Sequence, residues 1–123
     1  MPQDLLSIDV QQTKDGAAQL FTLRGSMDIA TSPTVRDALL GAAARGQHEI
    51  IVDLTNVDFL DSTGLGALIG AHKRAKEEGG QVRLIVQEGQ ILRLLRITGL
   101  LGVFGVYHDV ESALAGETPL VGL

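Results

Sequence analysis

Apolar and polar positions alternate near the start of the chain, with Leu6, Ile8 and Val10 on one side and Ser7, Asp9 and Gln11 on the other. That period of two predicts a half-buried strand over about residues 5–12. Lys14-Asp15-Gly16 follows, and Asp-Gly between apolar runs signals a hairpin, because Gly tolerates positive φ. The return strand is expected from Ala18 to Leu23, ended by Gly25. Thr31-Ser32-Pro33 is helix-start chemistry, a Ser or Thr cap with Pro in the first turn. Val35, Ala38, Leu39, Ala42 and Ala43 then recur at helical spacing up to Gly46. The continuous run Ile50-Ile51-Val52 within Glu49 to Leu54 is short and branched, which predicts a strand buried on both faces.

A second helix is predicted from Ser62 to about Glu78, stopped by Gly79-Gly80, and a strand from Val82 to Val86. Ile91, Leu94, Leu95 and Thr98 mark a third helix with Gly99 behind it, and Val103 to Val106 a short strand. Asp109 should cap a last helix carrying Val110, Ala113 and Leu114, with a loose tail over residues 116–123. The order β-β-α-β-α-β-α-β-α implies an α/β fold: one mixed sheet of about five strands with about four packed helices, largely parallel after the opening hairpin, with right-handed crossovers.

Composition narrows the options. The 123 residues fit one domain, with its core over about residues 5–115. With 45% hydrophobic residues but three Phe, one Tyr and no Trp, aliphatic packing must carry the core. The absence of cysteine excludes disulfides, thiolate metal sites and a Cys nucleophile. No apolar run approaches the ~18–20 residues of a membrane span, and the first residues lack a basic region before an apolar stretch. The expectation is a cytoplasmic protein without membrane insertion. A net charge of −5 works against direct nucleic-acid binding. His72-Lys73-Arg74 and the pair Arg93 and Arg96 are short and read as solvated helix faces.

The chemistry concentrates where the central strand meets the second helix, in Val57-Asp58-Phe59-Leu60-Asp61-Ser62-Thr63-Gly64-Leu65-Gly66. Ligands and partners of open α/β sheets gather beyond the carboxyl ends of strands. By position Ser62 is an ordinary N-cap, at a helix start whose dipole favours negative charge. At about 100° per residue, Leu65, Leu68, Ala71, His72 and Ala75 share the core-facing side, while Gly66, Gly70 and Lys73 lie on the side of Ser62. Two glycines there cost about 2 kcal/mol of helix propensity. Close approach of another backbone is the expected reason, and a bare flank beside an exposed hydroxyl suits a docking surface.

Asp61-Ser62-Thr63-Gly64-Leu65-Gly66 after Val57-Asp58-Phe59-Leu60 resembles the phosphorylation segment of bacterial anti-sigma factor antagonists, the stand-alone STAS domains. Leu23-Arg24-Gly25-Ser26-Met27-Asp28, Ile50-Ile51-Val52-Asp53-Leu54, and Ile97-Thr98-Gly99-Leu100 with Phe104 resemble three further family segments. The likeness spans about residues 5–115. It implies a binding protein, not an enzyme, that unmodified binds an anti-sigma factor serine kinase and frees a sigma factor. The kinase then phosphorylates Ser62, the complex dissociates, and a metal-dependent serine phosphatase resets the cycle. Asp61, Thr63, Gly64 and Leu65 would lie at the interface, and Asp28 would match an acidic loop residue facing the kinase. Ser26 departs from the family, which commonly has Glu there. No cofactor is implied; nucleotide would arrive with the partner.

Other readings fare worse. Gly64, Gly66 and Gly70 do not follow a strand directly, as a dinucleotide loop requires, because seven residues separate Leu54 from Ser62. Asp53, Asp58 and Asp61 lack the paired acids and late Lys of a phosphoaspartate receiver. Ser62 lacks the Gly-x-Ser-x-Gly frame of a hydrolase, and His48, His72 and His108 are scattered in sequence. The competing use of the same domain is a constitutive scaffold subunit of a transporter or signalling complex.

Overall fold

In the computed structural model of the chain, residues 6–13, 16–115 and 119–120 are described. Their elements run β1 (Leu6–Gln12), β2 (Gln19–Met27), α1 (Ser32–Ala44), β3 (Glu49–Leu60), α2 (Ser62–Glu77), β4 (Gln81–Ile85), α3 (Gln90–Ile97), a 3-10 turn (Leu100–Gly102), β5 (Gly105–Tyr107) and α4 (Val110–Leu114). The sheet order is β1-β2-β3-β4-β5. β1 is antiparallel to β2 and the remaining pairs are parallel, which matches the mixed sheet expected from the element order.

The central strand shows why the order works. Ile50 and Val52 point into a core with Leu39 of α1, Leu68 of α2 and Leu95 of α3. Ile51, one position out of phase, points to the other face, where it meets Leu20, Ile85, Tyr107 and Ala113 of α4. All three are fully buried, and each contributes roughly 1.5–3 kcal/mol by leaving water. Three helices therefore cover one face of the sheet and α4 alone covers part of the other.

Two strands are longer than the sequence pattern suggests. β2 continues past Leu23 to Met27, and β3 past Leu54 to Leu60, so the supposed connection before Ser62 is strand. Pairing shifts from Thr22↔Asp53 to Arg24↔Asn56, and again from Gly25↔Val57 to Ser26↔Phe59. Each shift gives β3 an unpaired extra residue, a bulge that rotates the following side chains. Leu54, Val57 and Leu60, three apart in sequence, are consequently all buried. Strict alternation cannot find such a strand. Gly25 sits between the two shifts with φ +114, which only glycine adopts readily.

Smaller differences have local causes. Of the expected hairpin turn, Lys14 and Asp15 lie outside the described residues, while Gly16 donates to the Thr13 carbonyl at 2.8 Å. Thr31 stands at the N-cap position of α1 but does not cap it with its side chain. Its Oγ1 instead donates to the Ser26 carbonyl at 2.6 Å. The last strand begins at Gly105, because Leu100–Gly102 forms the 3-10 turn. Asp109 caps α4, accepting from Ser112 N at 2.7 Å. The tail is tied down where it is described: Leu120 N donates to the Val106 carbonyl at 2.9 Å, and its side chain packs on the core. That carbonyl belongs to the edge strand, where acceptors are left over.

His72 lies on the core side of α2, as expected, and is 8% exposed. Its Nδ1 accepts from Val82 N at 3.1 Å and its ring stands edge-on to Phe104, centroids 5.2 Å apart. Burial first, and Lys76 second, hold its pKa below the ordinary 6.5. The neutral ring is thus the native form. Its contribution is complete above the unfolded-state value and is lost as pH falls through the lower folded one. Between about pH 7.5 and pH 5.5 the wild type should lose more thermal stability than His72→Gln, which can still accept from Val82 but cannot titrate. Equal losses across that range would remove His72 from the acid response.

Candidate functional site

The bulged halves of β2 and β3 end together, Met27 paired with Leu60. From there Asp61 N donates to the Met27 carbonyl at 3.2 Å and α2 begins. This places the β2–α1 loop, with Asp28, beside the start of α2.

Asp61, not Ser62, is the N-cap of α2. Its Oδ1 accepts from Thr63 N at 2.9 Å and Gly64 N at 3.1 Å, and also from the Thr63 hydroxyl. The Thr63 hydroxyl, followed by the Gly64 and Thr63 amides, lowers the Asp61 pKa, so the carboxylate is ionised at neutral pH. Asp takes the cap because its carboxylate reaches two residues ahead, a geometry that the shift of one position denies to Ser62. Ser62 becomes the first helical residue. Its side chain is exposed, and none of the described residues hydrogen-bonds to its hydroxyl. The neighbouring hydroxyls are thereby differentiated: that of Thr63 is held by Asp61, and that of Ser62 is available.

The surroundings are acidic. Asp58 is exposed and its Oδ1 accepts from Ser26 Oγ at 2.9 Å. Ser26 is the departure from the resembled family, and here it ties the end of β2 to the end of β3. Asp28 Oδ1 accepts from Ala30 N at 2.9 Å and Thr31 N at 3.1 Å, so its carboxylate shapes the loop in which it lies.

The α2 residues divide. Lys73 and Gly66 are exposed, while Gly70 is half-buried. A Cβ built at Gly66 or Gly70 would meet nothing within 4 Å. No neighbouring backbone within the described residues therefore explains these two glycines, contrary to the simplest expectation. Gly64 is the reverse case: its Cβ would lie 2.5 Å from Leu60 Cδ1 and 3.1 Å from the Met27 carbonyl oxygen. Gly64 and Leu65, two of the expected interface residues, are buried and support the platform from inside.

Sequence reasoning missed the residues facing α2 from the β2–α1 loop and the start of α1. Ile29, Ser32, Pro33 and Arg36 line a groove of about 340 Å³ whose other wall is Thr63, Gly66 and Ala67. Ile29 is 76% exposed. Its one sequence signal is an aliphatic residue in a loop, outside any period. Phe59, at 44% exposure, is a second apolar side chain on this end of the sheet.

Other chemistry is not assembled here. Gly64, Gly66 and Gly70 lie inside α2 and form no strand-to-helix phosphate loop. Among the described residues no cluster of three or more His, Asp or Glu could hold a metal ion, and no helix is long and apolar enough to cross a membrane. His72 is committed to Val82, and His108 Nδ1 lies 2.9 Å from the Val86 carbonyl. Neither is paired with Ser62.

Comparison with known proteins agrees over most of the chain. The STAS domain family matches residues 8–113. An anti-sigma-B factor antagonist of Bacillus subtilis (strain 168) is 30% identical over 109 residues, covering 89% of this chain and 97% of the relative. An anti-sigma-B factor antagonist of Listeria monocytogenes is 30% identical over 112 residues, covering 91% and 96%. Among solved structures, an anti-sigma factor antagonist from Mycobacterium paratuberculosis superposes with a TM-score of 0.81 at 23% identity, covering 90% of this chain and 92% of the other. The Bacillus anti-sigma factor antagonist SpoIIAA, solved unphosphorylated and phosphorylated, superposes with TM-scores of 0.69 and 0.70, each over 89% of this chain and 96% and 98% of the other, at 17% and 18% identity.

Proposed function

The chain belongs to the STAS domain family, and from that premise we propose that it is an anti-sigma factor antagonist controlled by phosphorylation of Ser62. Unphosphorylated, it binds an anti-sigma factor that is also a serine kinase, which releases a sigma factor. The kinase transfers the γ-phosphoryl group of ATP to Ser62 Oγ: the new P–O bond forms, ADP leaves, and the hydroxyl proton passes to a base of the kinase. The complex then separates, and a metal-dependent serine phosphatase returns Ser62 to the hydroxyl form. The domain is a binding protein and not an enzyme, needs no cofactor of its own, contacts no nucleic acid directly, and works in the cytoplasm with its ATP-consuming partner.

The observation that carries this reading is the exposed, unengaged hydroxyl of Ser62 on the first residue of α2, with Asp61 already capping the helix. A hydroxyl that capped the helix would have to be released before it could accept phosphate, whereas this one can be modified with the helix intact. The relatives named anti-sigma-B factor antagonist support the same class. The superposition on SpoIIAA, in its unphosphorylated and in its phosphorylated form, supports the shared fold.

Incubation with ATP and anti-sigma kinases from the same genome, followed by intact-mass measurement and site mapping, tests it. One added phosphate on Ser62 and none on Thr63, absent from Ser62→Ala, is the expected result. Stable binding with no modification by any of these kinases would favour the constitutive scaffold instead.

A further inference from the structure

We propose that the groove between α1 and α2 is the anchor site for the partner: it receives a segment of the anti-sigma kinase carrying an apolar side chain beside a carboxylate. This inference rests on the Ser62 surface being the kinase-binding face. The groove's apolar rim is Ile29, 76% exposed and held out from the body by the turn that Asp28 makes with Ala30 N and Thr31 N. Pro33 and Ala67 continue the apolar lining, and Gly66 leaves the opposite wall open, since a Cβ there meets nothing within 4 Å.

Two polar groups state what else the occupant must bring. Ser32 is 3% exposed and lines the groove, yet its Oγ has no hydrogen-bond partner. A buried hydroxyl without a partner is unusual in a folded protein, and an occupant of the groove can supply that partner. Arg36 lies one helical turn beyond Ser32, on the same side of α1. Its pairing with the adjacent Asp37, at 3.4 Å with both side chains more than half exposed, leaves the cation solvated and available. An apolar floor, a hydroxyl and a guanidinium together fit an apolar residue flanked by an acid. Arg36 also interrupts the acidic pattern set around Ser62 by Asp28, Asp58 and Asp61, and at the groove it offers a partner carboxylate a positive charge.

Thr63 is common to the groove and to the Ser62 turn. An occupant seated there fixes the Ser62 hydroxyl relative to the nucleotide of the kinase. Once Ser62 is phosphorylated, the new dianion stands next to the mouth of the groove and repels the same partner carboxylate. Docking before transfer and release after it thus share one set of contacts.

The test uses the full chain with a cognate anti-sigma kinase. Ile29→Ala and Arg36→Glu should each weaken binding about tenfold or more and raise KM for Ser62 phosphorylation more than they lower kcat. Ser32→Ala should weaken binding with no loss of thermal stability, because it removes a hydroxyl that has no internal partner. If the wild type binds and is phosphorylated while all three variants bind within about twofold of it, the anchor is elsewhere and the Ser62 reading stands. If the wild type neither binds nor is modified by any anti-sigma kinase, the underlying reading fails and the groove assignment fails with it.

Discussion

Phosphorylation of Ser62 is expected to weaken binding to the anti-sigma kinase by several hundredfold while leaving the far-UV circular dichroism of the domain and its cooperative unfolding unchanged. The fold tolerates the group because Ser62 is exposed at the first position of α2, where the helix dipole favours negative charge. Its hydroxyl also has no cap to abandon, since Asp61 holds the Thr63 and Gly64 amides. The complex does not tolerate it. Phosphate adds about −1.5 to −2 charge at neutral pH, on a surface where Asp58 and ionised Asp61 already raise the negative potential. Pressed against a partner, that charge is desolvated or set against like charge, at a cost of several kcal/mol. About 3–4 kcal/mol corresponds to a several-hundredfold loss of affinity. Ser62→Ala should bind like the wild type and keep its stability, because alanine is a strong helix former. Ser62→Asp, with one charge, should fall between the two. Calorimetric titration of the four forms decides the matter: phosphorylated protein that binds as tightly as unmodified protein would end the electrostatic account of release.

The second large effect concerns the glycines of α2, where neighbours of the same type should respond in opposite directions. Gly64→Ala places a methyl group 2.5 Å from Leu60 Cδ1, 3.0 Å from Met27 Cβ and 3.1 Å from the Met27 carbonyl. Leu60 and Met27 are themselves buried and have little room to yield. The Met27 carbonyl cannot move without disturbing its bond from Asp61 N. Overpacking of this kind costs about 1–3 kcal/mol, enough to exceed the roughly 1 kcal/mol gained by replacing a helical glycine. The melting temperature should drop, by about 4 °C for each net kcal/mol in a domain of this size. Gly66→Ala has open space around it and should raise the melting temperature by a similar amount per kcal/mol. It should at the same time weaken kinase binding if this flank is buried in the complex. A Gly64→Ala protein as stable as wild type would show a looser β3–α2 junction than these contacts describe. A Gly66→Ala protein with undiminished affinity would take the α2 flank out of the interface.

Much of this could be read before any coordinates. The alternation of β1, the apolar run of β3 and the helical spacings of α1, α2 and α3 mark local burial, and burial follows the period of each element. Ser62 was legible because its motif is compact and sits where a strand gives way to a helix. The α2 face carrying Gly66, Gly70 and Lys73 followed from helical geometry alone. What stayed hidden depended on pairing between distant segments. The bulges that carry β3 on to Leu60 exist only against β2, and they convert an apparent loop into a strand with apolar residues three apart.

The sequence by itself determined the class of fold, the order of its elements and the family likeness, and it singled out Ser62 as the proposed phosphoacceptor, because all of these are recorded in local periods and in one contiguous motif. Tertiary structure alone decided that the bulged end of β3 pairs with β2 out to Met27 and Leu60, that Gly64 is packed against Leu60 and Met27, and that Ile29, Ser32 and Arg36 of one segment meet Thr63 and Gly66 of another across a groove. These properties belong to contacts between segments some thirty residues apart along the chain, and no pattern within either segment encodes where the other will lie.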